Sequence, residues 1–113
     1  MLGLTFKEDC PDIRNSKVVD IILVLQGFGI SVRVHDPLAE LEDARTEYGL
    51  TLTPMDKIPP ADALIVAVAH GRFRQLSLDT IRSLVRPDHL VIDIKGILDR
   101  TSLEANGFRV WRL

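Results

Sequence analysis

The stretch LGLTFKEDCPDIRNS, residues 2–16, decides the fold. It begins apolar and β-prone, at Leu2, Leu4 and Phe6. It turns polar and charged from Lys7 to Arg14, then runs into an amphipathic pattern that starts near Asn15 or Ser16. A strand, a polar loop and a helix N-terminus therefore follow one another directly. In α/β domains, the loops leaving the carboxyl ends of strands line the ligand crevice. Helix N-termini carry partial positive charge and free N–H groups, and they attract anions. Lys7 and Arg14 bracket this loop with two formal positive charges. The expectation is a loop that grips a phosphate-bearing ligand.

Working outward, the apolar run before the loop is short. A buried parallel strand commonly holds about five or six residues, and Met1 is already close to Gly3. This predicts a first strand that lacks its beginning. After the loop, Asn15 or Ser16 is the expected N-cap. Val18, Val19, Ile21, Ile22, Val24 and Leu25 give the helix a broad apolar face, and Gly27 and Gly29 end it. Residues 30–34 read as a second strand, stopped at His35-Asp36-Pro37. Residues 38–48 read as a helix with a charged outer face, and residues 50–53 as a short third strand. The connector 54–60 has room for one helical turn.

Residues 61–69 form the strongest strand pattern, almost continuously apolar, as a central strand covered on both faces requires. A loop at 70–74, a helix at 77–85, a turn at Pro87-Asp88 and a strand at 89–94 follow. A short helix at 102–106 and a strand at 108–111 close the series. Alternating strands and helices with short connections predict a three-layer, doubly wound α/β domain. Its sheet should be mainly parallel, with about five to six strands. It would be a Rossmann-like half without a G-x-G-x-x-G turn, forming a single domain over residues 1–113.

Composition narrows the function. The 113 residues are 46% hydrophobic and 27% charged, a globular profile rather than a disordered one. A net charge of −2 leaves no basic excess to neutralise a nucleic-acid backbone. The single cysteine allows no internal disulfide and fits a reducing cytoplasm. The longest apolar run, 63–69, is far short of the ~20 residues that span a bilayer.

In the predicted sheet the strands deliver Lys7, His35-Asp36, His70 and Lys95 to one rim, with Arg14 at a helix start. Each has a plainer reading. Lys7 can be a solvated loop lysine, and Arg14 can pair with Asp9 or Asp12. Asp36 is read as a turn or cap residue, because a ribose-binding Asp belongs with a glycine-rich first turn that is missing here. His70 can bond locally, His35 can be a turn residue, and His89 starts a strand at the opposite edge. Lys95 follows a buried strand, where its charge needs solvent or an anion, and Gly96 beside it permits close backbone approach. Cys10 lies among Glu8, Asp9 and Asp12, whose charges disfavour a thiolate, so no catalytic residue is assigned. The three histidines show no metal-ligand spacing.

Together, LGLTFKEDCPDIRNS, HDP, VAVAHGRF, VIDIKG and the final WRL resemble the C-terminal domain of the UDP-glucose/GDP-mannose dehydrogenase family. The similarity covers essentially the whole chain. The wording KEDCPDIRNS with HDP and DIKG is most similar to bacterial members that oxidise UDP-N-acetylhexosamines to uronic acids in polysaccharide biosynthesis. The resemblance implies an enzyme that converts the C6 alcohol of a nucleotide sugar to a carboxylate with NAD. It implies that Phe6 and Lys7 contact the UDP-sugar and that Arg14 reaches the NAD pyrophosphate across a domain interface. Lys95 stands where many relatives have an arginine that contacts the nucleotide; lysine keeps the charge without the bidentate fork. The NAD-binding domain and the central dimerisation region with the catalytic cysteine have no counterpart in this chain, so the resemblance implies a fragment inactive alone. Two other classes fit a doubly wound fold. A receiver-like signalling domain would want a phosphorylatable Asp at the end of the third strand, where residues 50–53 have none. A structural or assembly module would use the basic rim for a partner.

Overall fold

A computed structural model describes residues 1–113. Its helices form where apolar spacing demands them. Helix α1, Val18–Gly27, buries Val18 and Ile22. It starts from Lys17 without a side-chain cap, not from Asn15 or Ser16, because Asn15 takes φ 59° and turns the chain first. Helix α2, Leu41–Tyr48, is shorter than the 38–48 pattern predicts. The Asp36 carboxylate holds the N–H groups of Leu38 and Ala39 in a turn ahead of it. A 3-10 turn, Met55–Lys57, sits in the connector. Strand β1, Ala61–Val66, then leads into buried residues 67–69, which leave the ladder. The expected loop at 70–74 contains the short helix α3, Gly71–Arg74. Helix α4, Leu78–Leu84, starts at Ser77, whose Oγ accepts the Thr80 N–H. Strand β2, Val85–Asp93, absorbs the expected turn as an irregularity. Ala61 pairs with Val85 and Ala63 with Leu90, and Asp88 between them takes φ 63°. Helix α5, Arg100–Ala105, is capped by Asp99, and strand β3, Arg109–Arg112, follows.

The ladder of β1, β2 and β3 is parallel and continuous, in that order. It has three strands where the sequence predicts five to six. The other expected strands contract to isolated parallel bridges, Leu2 with His35 and Val66, and Val34 with Leu52. One cause lies at the start of the chain. Gly3 turns to φ 102°, and the N–H groups of Leu4 and Thr5 bond the Asp36 carboxylate instead of a neighbouring strand. Through these bridges the chain still crosses the sheet in the order 3-2-1-4-5-6, counting strand positions along the sequence.

Two cores cover the two faces. One gathers Leu2, Val66 and Val91 with Phe73 of α3, Ile81 and Leu84 of α4 and Leu103 of α5. The other gathers Leu4, Val34 and Val68 with Val18 and Ile22 of α1 and Ala44 of α2. Helices on both faces make three layers, wound in both directions from the middle. No helix is long and apolar enough to cross a membrane.

Candidate functional site

In a sheet of this order, winding reverses between the Leu2 position and β1, and the crevice opens at the carboxyl ends of the strands there. The loop after Leu4 and the segment after β1 meet at this point. They are joined by a buried polar cluster centred on Asp36. Its Oδ2 accepts the N–H groups of Leu4 at 2.7 Å and Thr5 at 3.1 Å, and lies 2.9 Å from His70 Nε2. Its Oδ1 accepts the N–H groups of Leu38 at 2.8 Å and Ala39 at 3.2 Å. Burial pushes this carboxyl up, but the donors at Leu4, His70, Leu38 and Thr5 outweigh burial and hold it below its ordinary value.

His70 is the second member. The Asp9 N–H donates to its Nδ1 at 2.9 Å, which leaves the ring proton on Nε2 to donate to Asp36. Thr5 Oγ1 sits 3.1 Å from the same Nε2 and donates to the Lys7 carbonyl. Asp9, at φ 56°, turns its carboxylate onto the Gly71 N–H at 2.9 Å. The cluster thus fixes the backbone on either side of Lys7. The two histidines expected at the rim point elsewhere. His70 is fully buried, and His35 is half-buried with Nδ1 bonded to the Thr53 carbonyl. Asp36 holds His70 inward and the Thr53 carbonyl holds His35, so neither ring is presented to a ligand.

The cations divide into two kinds. Lys7 and Lys95 are exposed and make no ion pair. Phe6 stands beside Lys7 with 57% of its surface exposed. Arg14 is exposed but engaged: its Nε and Nη2 bond Asp12 at 3.0 and 3.1 Å. The hydrogen bonds of Arg14 hold the Asp12 carboxyl below its usual range, and Asp12 in turn raises the guanidinium. A shallow hollow of about 230 Å³ beside Arg14 is lined by Asp43 and Glu47 as well. Gly96 takes φ 66° with open space around the position of a Cβ, so its role is the left-handed turn rather than close backbone approach. Cys10 is a half-buried free thiol.

Sequence reasoning missed two carboxylates. Asp9 carried a signal only as one of several acidic loop residues; its part follows from pairing with residues 61 and 62 positions away. Asp93 is fully buried and accepts the N–H groups of Ile97 and Leu98, which shapes the turn that carries Lys95 and Gly96. An Asp inside an otherwise apolar strand was the available signal for it.

A doubly wound α/β sheet with a buried polar cluster at its switch point and two unpaired lysines at its rim defines the class: a Rossmann-like domain. Residues 1–100 match the UDP-glucose/GDP-mannose dehydrogenase family, UDP binding domain. The chain belongs to that family. It is 44% identical over 99 residues to the UDP-N-acetyl-D-glucosamine 6-dehydrogenase of Pseudomonas aeruginosa, a match covering 88% of this chain and 24% of that protein. It is 40% identical over 113 residues to protein CapL of Staphylococcus aureus, covering 100% of this chain and 26% of that one. The chain therefore spans about a quarter of the length of these relatives. Among solved structures, the UDP-N-acetyl-mannosamine dehydrogenase Cap5O from S. aureus superimposes with a TM-score of 0.69 at 23% identity, covering 98% of this chain and 24% of that one. The UDP-D-ManNAc dehydrogenase from Pyrococcus horikoshii gives 0.71 at 23% identity, covering 96% and 24%. At that identity the two structures speak for the fold.

Proposed function

We propose that this domain holds the UDP part of a nucleotide sugar for an NAD-dependent 6-dehydrogenase, with Lys7 and Lys95 as its phosphate-facing cations. One observation carries the reading. Both lysines follow the carboxyl ends of strand positions near the switch point, and neither is neutralised by a carboxylate. A diphosphate gives each a charge-assisted partner, the stronger kind of hydrogen bond. Phe6 offers an exposed ring to the same ligand. The Asp36–His70 cluster keeps the Lys7 loop in place before the ligand arrives, which lowers the ordering cost of binding.

Arg14 serves a different ligand in this reading. It faces the pyrophosphate of NAD held by another domain, and it must exchange Asp12 for that partner. NAD supplies the hydride acceptor in such an enzyme, whereas this chain has no glycine-rich turn to hold it. The substrate is a UDP-hexose or UDP-N-acetylhexosamine, oxidised to the uronic acid in the cytoplasm. The remaining partners are an NAD-binding domain and a dimerising central region, and the domain on its own oxidises nothing.

Calorimetric titration with UDP separates the roles. Charge-assisted bonds are worth about 1.5–3 kcal/mol, roughly tenfold or more in affinity each. Lys7→Ala and Lys95→Ala should each weaken UDP binding about tenfold, and Arg14→Ala should leave it unchanged. Equal affinity across all three variants would remove the two lysines from the site.

A further inference from the structure

Asp93, the last residue of β2, gathers a whole turn onto itself. Its carbonyl accepts the Gly96 N–H at 3.2 Å, its Oδ1 the Ile97 N–H at 3.1 Å and its Oδ2 the Leu98 N–H at 2.9 Å. Three successive N–H groups thus close on one fully buried residue. Lys95 stands exposed on this turn. Ahead of it, the Ile94 N–H is tied to the Val66 carbonyl of β1 at 3.1 Å. Behind it, Gly96 takes its left-handed φ of 66°.

Arg112 meets the same turn from the neighbouring strand. It stands opposite Asp93 in the parallel register of β2 and β3. Its Nη2 donates to the Leu98 carbonyl at 2.5 Å, and its Nε lies 3.7 Å from Asp93 Oδ2. That Nε is buried without a hydrogen-bond partner. No other cation lies within 4 Å of the Asp93 carboxylate. A guanidinium beside a carboxylate frequently closes a bidentate fork with it. Here each carboxylate oxygen is engaged by the turn, and the guanidinium reaches past them to the Leu98 carbonyl. Arg112 forgoes the direct pair, leaves a buried donor idle and closes the turn instead.

We propose that Arg112 is a positioning residue for Lys95, acting on a nucleotide only through the turn it closes. The inference rests on the reading of Lys95 as a phosphate-facing cation. A lysine head on a flexible four-carbon stem must be ordered when it binds, and freedom in the backbone beneath it adds to that cost. With the turn tied to β2 through Asp93 and to β3 through Arg112, Lys95 is presented at one fixed place on the rim. Arg112 needs no contact with the ligand for this, because the N–H it uses is committed to Leu98.

Calorimetric titration of UDP into the 113-residue chain, run as a double-mutant cycle, tests the inference. Arg112→Lys keeps the charge but lacks the planar fork, so it cannot hold the Leu98 carbonyl and lie along Asp93 in the same way. It should weaken UDP binding roughly threefold to tenfold, the worth of one ordinary hydrogen bond. In the Lys95→Ala background the same change should have no effect, a dependence that a merely structural role would not produce. Amide exchange at Ile97 and Leu98 should quicken in Arg112→Lys, and unchanged exchange there would overturn the inference. Undiminished affinity in Arg112→Lys, beside a loss in Lys95→Ala, would overturn it while leaving Lys95 in the site. An equal loss in both backgrounds would overturn it too, since Arg112 would then act on the ligand directly or on the whole fold. Undiminished affinity in Lys95→Ala would remove Lys95 from the site and end both readings.

Discussion

At Asp36 one carboxylate satisfies four backbone N–H groups and an imidazole in the interior. Removing it leaves buried donors without partners, a loss of about 3–5 kcal/mol. Asp36→Ala should show it as a lower urea midpoint, and a change under about 1 kcal/mol would deny the cluster its role. The pH dependence has a definite sign. The folded carboxyl titrates below its unfolded value of 3.8, so the folded protein releases the proton more readily. The stabilisation is complete above pH 3.8 and fades as pH falls through the folded value. Asp36→Asn should therefore weaken the loss of stability below pH 4, read as urea midpoints against pH, and an unchanged acid slope would contradict this. At this scale the sequence was readable where a residue's place depends on strand position. That Lys7 and Lys95 follow strand positions was legible because each comes after an apolar run. The inward turn of His70 was hidden, because its partners Asp36 and Asp9 lie 34 and 61 residues away.

Among the elements, the helices were easier to read than the strands. The apolar spacing of α4 survives intact, because one helix face needs only its own periodicity; α1 keeps Val18 and Ile22 buried, but Val24, expected on the same face, is 59% exposed. Strand positions depend on partners. Residues 1–6 read as a strand by composition, yet only Leu2 bridges, since Gly3 breaks the direction and Asp36 takes the next two N–H groups. Gly3 is also where the first segment crosses Val68. A Cβ there would lie 2.7 Å from the Val68 Cβ, on a backbone at φ 102°. Gly3→Ala should cost about 2–4 kcal/mol through strain and overlap together. Thermal unfolding checks it, and a melting temperature within a degree of the parent would show that the crossing relaxes freely. Ser77→Ala, which removes the cap of α4, should cost only about 1 kcal/mol in the same assay.

Across the whole molecule, two cores on either side of one sheet were legible from the alternation of apolar runs alone. The layers and the parallel order followed from that alternation and short connections. The extent of the sheet did not, because edge positions are set by turns and side-chain bonds that no periodicity records. Family membership rests on the match over residues 1–100, while the roles of single residues rest on where the fold delivers them. Titrating UDP into the isotope-labelled 113-residue chain and following its backbone amides tests most directly whether the proposed UDP site lies at the carboxyl edge of this sheet. Saturable shifts should centre on Phe6, Lys7, Lys95 and Gly96, with the amides near Arg14 and those of residues 31–33, at the opposite end of the sheet, unmoved. No shift at Lys7 or Lys95 up to millimolar UDP, or shifts centred elsewhere, would contradict a UDP site at this edge.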